Sequence, residues 1–199
     1  MGMRTLYLLY LLFILLFACP FLVTQETHDH GVPEKLGRVS FPISCAPTVQ
    51  EKFDRGVALL HSFAYSAAEK AFQDVADLDS HCAMAHWGMA MTYFHQLWDP
   101  PIAAANVSIA QKEIEKAAEI GTASGRERQF ILALRLLYQD AGTLPYRTRV
   151  SNYEHAMSDL AAANKKDVEA QVVLCSRSFG EYISCRQDAC ETKTSSRFA

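Results

Sequence analysis

The sequence predicts an all-α domain built of short helical hairpins. Three observations carry this. Apolar residues recur at helical spacing in segments of about a dozen residues or a little more. The breaks between segments are short, as in antiparallel helix pairs. No stretch alternates with strand period, and no Asn-Gly or Asp-Gly hairpin signal is present.

A first stripe, Phe53, Val57, Leu60 and Phe63, follows Pro47; Thr48 as N-cap and Glu51 three residues later make a capping box there. A second, Ala68, Ala71, Phe72 and Val75, is interrupted at Asp79-Ser80. A third runs through Ala83, Ala85, Trp87, Met89, Ala90, Tyr93 and Phe94 and stops at Asp99-Pro100-Pro101. Further helices are expected over residues 102–120, ending at Gly121, over 126–138, and over 146–163 after Pro145, with another start at Asp167.

Composition is that of a globular protein, with 50% apolar and 21% charged residues. The 19 basic and 22 acidic side chains give a net charge of −3, so nothing favours a phosphate backbone and nucleic acid is not an expected partner. Residues 6–23 are apolar, aromatic or Pro, with Arg4 before them, which reads as an export signal or a membrane anchor in segment 1–23. Leu16-Phe17-Ala18-Cys19 is similar to a lipoprotein signal, which makes Cys19 a candidate lipidation site; an ordinary signal and an uncleaved anchor stand beside it. An exported protein, periplasmic or membrane-anchored, is expected. Residues 24–46 read as a linker that settles onto the domain near Val39-Ser40-Phe41.

Gly56 and Ala90 lie 34 residues apart, each followed three residues later by a large side chain, Leu59 and Tyr93. Tyr65, Ala68, Phe72, Val75 and Asp79 complete the pattern of the first hairpin. In these positions residues 47–172 resemble the tetratricopeptide repeat (TPR), which implies TPR-like helical hairpins stacked in a short right-handed solenoid. A second register has an offset of 85: Ala71-Phe72, Val75, Asp79 and Ala85 return as Ala156-Met157, Leu160, Asn164 and Ala170. The runs Leu36-Gly37, Val39, Phe41-Pro42, Ser44-Cys45, then Phe53, Gly56 to Phe63, then Cys82 to Met91, resemble a family of exported bacterial repeat proteins of unassigned biochemical role. The likeness covers about residues 36–172. It implies a non-enzymatic scaffold for a protein or peptide partner on the concave helical surface.

Cys45 precedes the first helix and Cys82 the third. In stacked hairpins these helices run parallel with their starts at one end, where a disulfide can join them; two unpaired thiols are the other reading. Closing that loop would stabilise by roughly 3–4 kcal/mol. His61, His86 and His95, with Trp87 and Trp98, are the most enzyme-like group and carry the alternative function, a metal-dependent enzyme or metal-binding protein. No ligand spacing of the H-E-x-x-H kind accompanies them, so no catalytic residue, metal or cofactor is expected, and polar-tipped residues at hairpin ends are the simpler reading. His28-Asp29-His30 reads as a solvated stretch of the linker, with a surface metal clip as the other reading. The run Gln111-Lys112-Glu113-Ile114-Glu115-Lys116 reads as a solvated face with close ion pairs, and Gly125-Arg126-Glu127-Arg128 as a helix start.

After Val172 the helical pattern collapses into Cys, Ser, Thr and Arg. Suitable codons for residues 173–193, read one base later, spell an apolar helix. Residues 173–199 are therefore expected to be an aberrant tail from a frameshift or truncation, with a genuine disordered tail as the other reading. Loss of the last helix would leave Ala156, Met157 and Leu160 uncovered and residues 165–173 open to proteolysis.

Overall fold

The computed structural model describes residues 36–95 and 102–175. Among these residues the fold is all-helical, without strands. A 3-10 turn at Pro47–Val49 leads into α1 (Gln50–His61), followed by α2 (Tyr65–Leu78), α3 (Ala83–Met91), α4 (Ala104–Ile120), α5 (Gly125–Tyr138), α6 (Tyr146–Ala163) and α7 (Val168–Cys175). The described residues all belong to one compact unit. Among them, no helix is long and apolar enough to cross a membrane. The expected signal or anchor at 1–23, with Cys19, lies outside the described residues. So do His28, His30, Trp98 and the tail beyond residue 175.

Each helix packs on the next in the chain, and α3 also meets α1 and α5. The apolar stripes read from the sequence are the buried ones: Phe53, Val57 and Leu60 on α1, and Ala68, Phe72 and Val75 on α2. Helix α3 is buried along its whole length, His86 included, because α1, α2, α4 and α5 all pack against it. Gly121 closes α4 at φ +70°, a left-handed position that a side chain would strain, and donates its N–H to the Ala117 carbonyl at 3.0 Å.

Several expectations are corrected. The capping box fails: Thr48 is exposed inside the 3-10 turn, and α1 starts at Gln50 with Val49 as a cap that makes no side-chain bond. The third helix ends at Met91, short of Phe94. The linker, by contrast, settles onto the domain where expected, near Val39–Phe41: Phe41 is fully buried and Leu36, Val39 and Ile43 pack against the core. Met157 and Leu160 are buried, and α7 forms beyond Val172 as far as Cys175 and packs on α6. Asp167 caps α7, its Oδ1 accepting from the N–H of Glu169 (3.1 Å) and Ala170 (3.2 Å).

The 85-residue offset has a structural counterpart. Asp79 and Asn164 each follow the last residue of a helix. Each accepts on its carbonyl from the residue three further on, Cys82 at 3.0 Å and Asp167 at 2.8 Å. Those two donors stand immediately before α3 and α7, and Ala85 and Ala170 behind them are both fully buried.

Candidate functional site

The chain before α1 runs without regular structure, yet it is held as a bound peptide is held. Residues 41–46 form a strap over the face shared by α1, α3 and α5. The Phe41 ring sits against one aromatic side chain from each helix: Phe53 at 5.4 Å between centroids, Trp87 at 5.4 Å and Phe130 at 5.0 Å. The Arg126 guanidinium lies over the same ring at 4.2 Å.

The strap backbone is gripped by side chains. Phe41 N–H donates to Asp54 Oδ1 (3.0 Å), Ile43 N–H to Gln50 Oε1 (3.1 Å), Ser44 N–H to Glu127 Oε1 (2.5 Å) and Ala46 N–H to Asp79 Oδ2 (2.8 Å). In the other direction Gln50 Nε2 donates to the Phe41 carbonyl (2.8 Å) and Arg126 Nη1 to the Pro42 carbonyl (3.1 Å). The Ser44 hydroxyl adds a bond to Glu127 Oε2 at 2.7 Å, an oxygen that also accepts from Thr122 Oγ1 at 2.6 Å. Glu127 is buried, and these donors compensate its carboxylate. Burial raises the Asp54 carboxyl above its ordinary pKa; the bonds from Phe41 and Gln50 oppose this, and the charge of Glu169 adds to it.

The energies explain why the strap also needs a covalent pin. Burial of Phe41 contributes about 2–3 kcal/mol, and each of these hydrogen bonds about 0.5–1.5 kcal/mol. Fixing the backbone of the strap costs about 1–2 kcal/mol per residue, so the two sides nearly cancel. Cys45 is bonded to Cys82, with 4.9 Å between their Cα atoms. The sulfurs and the Asp79 carboxylate lie within 4.8 Å of one another.

Beside the strap a cavity of about 800 Å³ opens between Ser40 and Pro42 on one side and residues 162–169 on the other. Arg126 forms part of its wall, paired with both carboxylate oxygens of Asp167 through Nε and through Nη2 (3.1 Å). The space is wide enough for a short peptide segment or a small molecule.

The three imidazoles singled out by the sequence do not gather. His61 Nε2 lies 2.9 Å from Glu169 Oε2 at the far end of the chain. His86 Nδ1 lies 2.7 Å from Glu113 Oε2. His95 Nε2 lies 2.9 Å from the Thr92 carbonyl oxygen, its ring stacked on Tyr65 at 4.1 Å. Among the described residues, the set of three potential metal ligands within 4.8 Å is Cys45, Asp79 and Cys82, not these histidines. The carboxylates beside His61 and His86 escape sequence reading because they lie 108 and 27 residues away. The charged run on α4 also differs from its expectation, since Glu113 reaches His86 and Glu115 reaches Arg135 at 2.9 Å on α5. Nearby, Tyr93 donates to Glu69 Oε1 at 2.5 Å; burial first, then the hydrogen bond and the charges of Glu69 and Glu113, push its pKa up to about 12.

Arg126 and Glu127, read from sequence as an ordinary helix start, are the residues missed. Two charged side chains opening α5 carry no local sign that they face a segment more than eighty residues earlier. Compared with known proteins, the chain matches no family profile, no curated protein and no solved structure.

Proposed function

We propose that this protein is an exported, non-enzymatic scaffold of the TPR type, periplasmic or membrane-anchored. Its helical hairpins form a short right-handed solenoid that holds a protein partner as an extended segment on the concave surface, beside the strap. One observation carries the reading. The α1–α3–α5 face already grips a segment without regular structure, with a buried aromatic anchor and side chains bonded to backbone, which is how helical-repeat grooves recognise peptides. The matching turns at 79–82 and 164–167 support the repeat, and the disulfide suits an oxidising compartment.

The test is selection of short unstructured peptides on the oxidised full chain, followed by titration of those selected. Peptides should bind, and Ser40→Trp, which fills the cavity mouth, should weaken them at least about tenfold, a loss of ~1.4 kcal/mol, while the helical circular dichroism stays unchanged. Selection no better than that on an unrelated helical protein rejects the reading, as do binders indifferent to the block.

A further inference from the structure

The strap site is a binding site filled by its own chain, and we propose that the Cys45–Cys82 disulfide is the latch that keeps it filled. Reduction releases residues 36–46 and opens the site to an extended segment of another protein, one with an aromatic residue three places before a serine or threonine. The inference rests on the peptide-scaffold reading above.

The occupant's chemistry is read from the strap. The aromatic subsite is the cage of Phe53, Trp87 and Phe130 under Arg126. The hydroxyl subsite is Glu127 with Thr122, which take the Ser44 hydroxyl. Between them, Gln50 and Asp54 hold the strap by its backbone alone, while the Ile43 side chain packs against the core.

The latch is placed at the hinge. The strap joins the helical body at Ala46, whose carbonyl accepts from Val49 N–H at 3.0 Å and whose N–H is held by Asp79. Asp79 is also the carboxylate beside the two sulfurs. Cys45 is half-buried and Cys82 fully buried, so an incoming dithiol reductant meets Cys45 first. Its thiolate attacks Cys45 Sγ, the S–S bond breaks, and the electron pair leaves on Cys82 Sγ, which takes up a proton. The reductant's second thiolate then attacks its own sulfur in the mixed disulfide. Cys45 is released as a thiolate, which also takes up a proton, and the reductant is left as a disulfide. The Asp79 charge opposes both the approaching thiolate and the departing one, so Asp79→Asn should be reduced faster.

Two measurements on the full chain, oxidised and reduced with dithiothreitol, test this. Hydrogen exchange should show the amides of Phe41, Ile43 and Ser44 opening about 100-fold faster after reduction, while those of Phe72 and Val75 keep their rates. A fluorescent peptide of residues 36–44 should bind the reduced chain and not the oxidised one, and its version with Phe41→Ala should bind at least about 30-fold more weakly. Cys45→Ser should behave as the reduced chain does. Strap amides unmoved by reduction, or a rise shared by Phe72 and Val75, overturn the latch even if selected peptides still bind beside the strap. A strap that opens while no peptide of either kind binds overturns the scaffold reading itself, and the occupant proposed here falls with it.

Discussion

Phe72 shows how narrow the tolerances of this fold are at the level of single residues. Its ring is fully buried between Gly56 of α1 and Gly88 of α3. A Cβ at Gly88 would stand 2.4 Å from Phe72 Cδ1 and 2.5 Å from Cγ, close to the root of the ring; one at Gly56 would meet the outer edge at 2.7 Å. Helix propensity alone would favour alanine at both sites by about 0.5–1 kcal/mol. Overpacking costs about 1–3 kcal/mol and wins here, because a caged ring cannot swing away. Gly88→Ala should therefore destabilise by about 1–2 kcal/mol and Gly56→Ala by less, while Gly125→Ala, whose Cβ would meet only Arg128 Nη2 at 3.6 Å, should be neutral or slightly stabilising. Urea denaturation of the three variants checks the order, and equal stability of Gly88→Ala and Gly125→Ala would sink the argument. The sequence showed half of this arrangement. Gly56 stands out as the small residue of the first hairpin, but a strict 34-residue period pairs it with Ala90. The cage instead uses Gly88, because what matters is the distance to one ring and not a fixed spacing along the sequence.

At the level of elements, two clamps tie helix starts together. Cys45, before α1, is bonded to Cys82, before α3. Arg126, at the start of α5, is paired with Asp167, before α7. Cys82 and Asp167 are separated by the same 85 residues that relate Phe72 to Met157, so the covalent clamp and the ionic clamp occupy corresponding turns. The periodic helix faces were legible in the sequence because burial repeats locally along each helix. The ionic clamp and the strap's anchorage on α5 were not, because Arg126 and Asp167 lie 41 residues apart and Glu127 lies 83 residues from Ser44, and each is locally an ordinary charged residue. The capping box misled for a related reason: Gln50 and Asp54 face the strap, and α1 starts where they are needed. Arg126→Ala removes the pair, the Pro42 bond and the stacking on Phe41 and Phe130, leaving Asp167 to rely on its cap bonds alone. With side chains 18% and 14% exposed, the pair is only partly screened, and the loss should be about 2–3 kcal/mol. Lysine cannot fork or stack as arginine does, so Arg126→Lys should recover less than half. Urea denaturation gives both numbers; full recovery by lysine would mean that charge alone, and not the clamp geometry, holds α7.

For the whole molecule, the question is where the cooperative unit ends. Read from sequence, the fold stops near Val172, and proteases should trim it between residues 165 and 173. The packing argues otherwise. Ala170 is fully buried, Glu169 and Val173 nearly so, and Gln171 Nε2 donates to the Ala161 carbonyl at 3.2 Å. Glu169 reaches across to His61 on α1, and Asp167 to Arg126 on α5, so α7 is tied to the first and fifth helices as well as to α6. Opening α7 would strand His61 and Arg126, the partners of Glu169 and Asp167, and expose the buried Ala170 and Val173. Helix α7 should therefore open with the body of the molecule and not before it. Limited proteolysis of the full chain with a protease of low specificity, read by mass spectrometry, should give a resistant core that retains residues 168–173. A first cut within 165–173 that removes this helix while α1 to α6 stay folded would refute the packing. The sequence marked the start of this helix at Asp167 but not how it is held, because α7 is short and carries no stripe of its own: its acids, Asp167 and Glu169, find their partners only when Arg126 and His61 are in place around it.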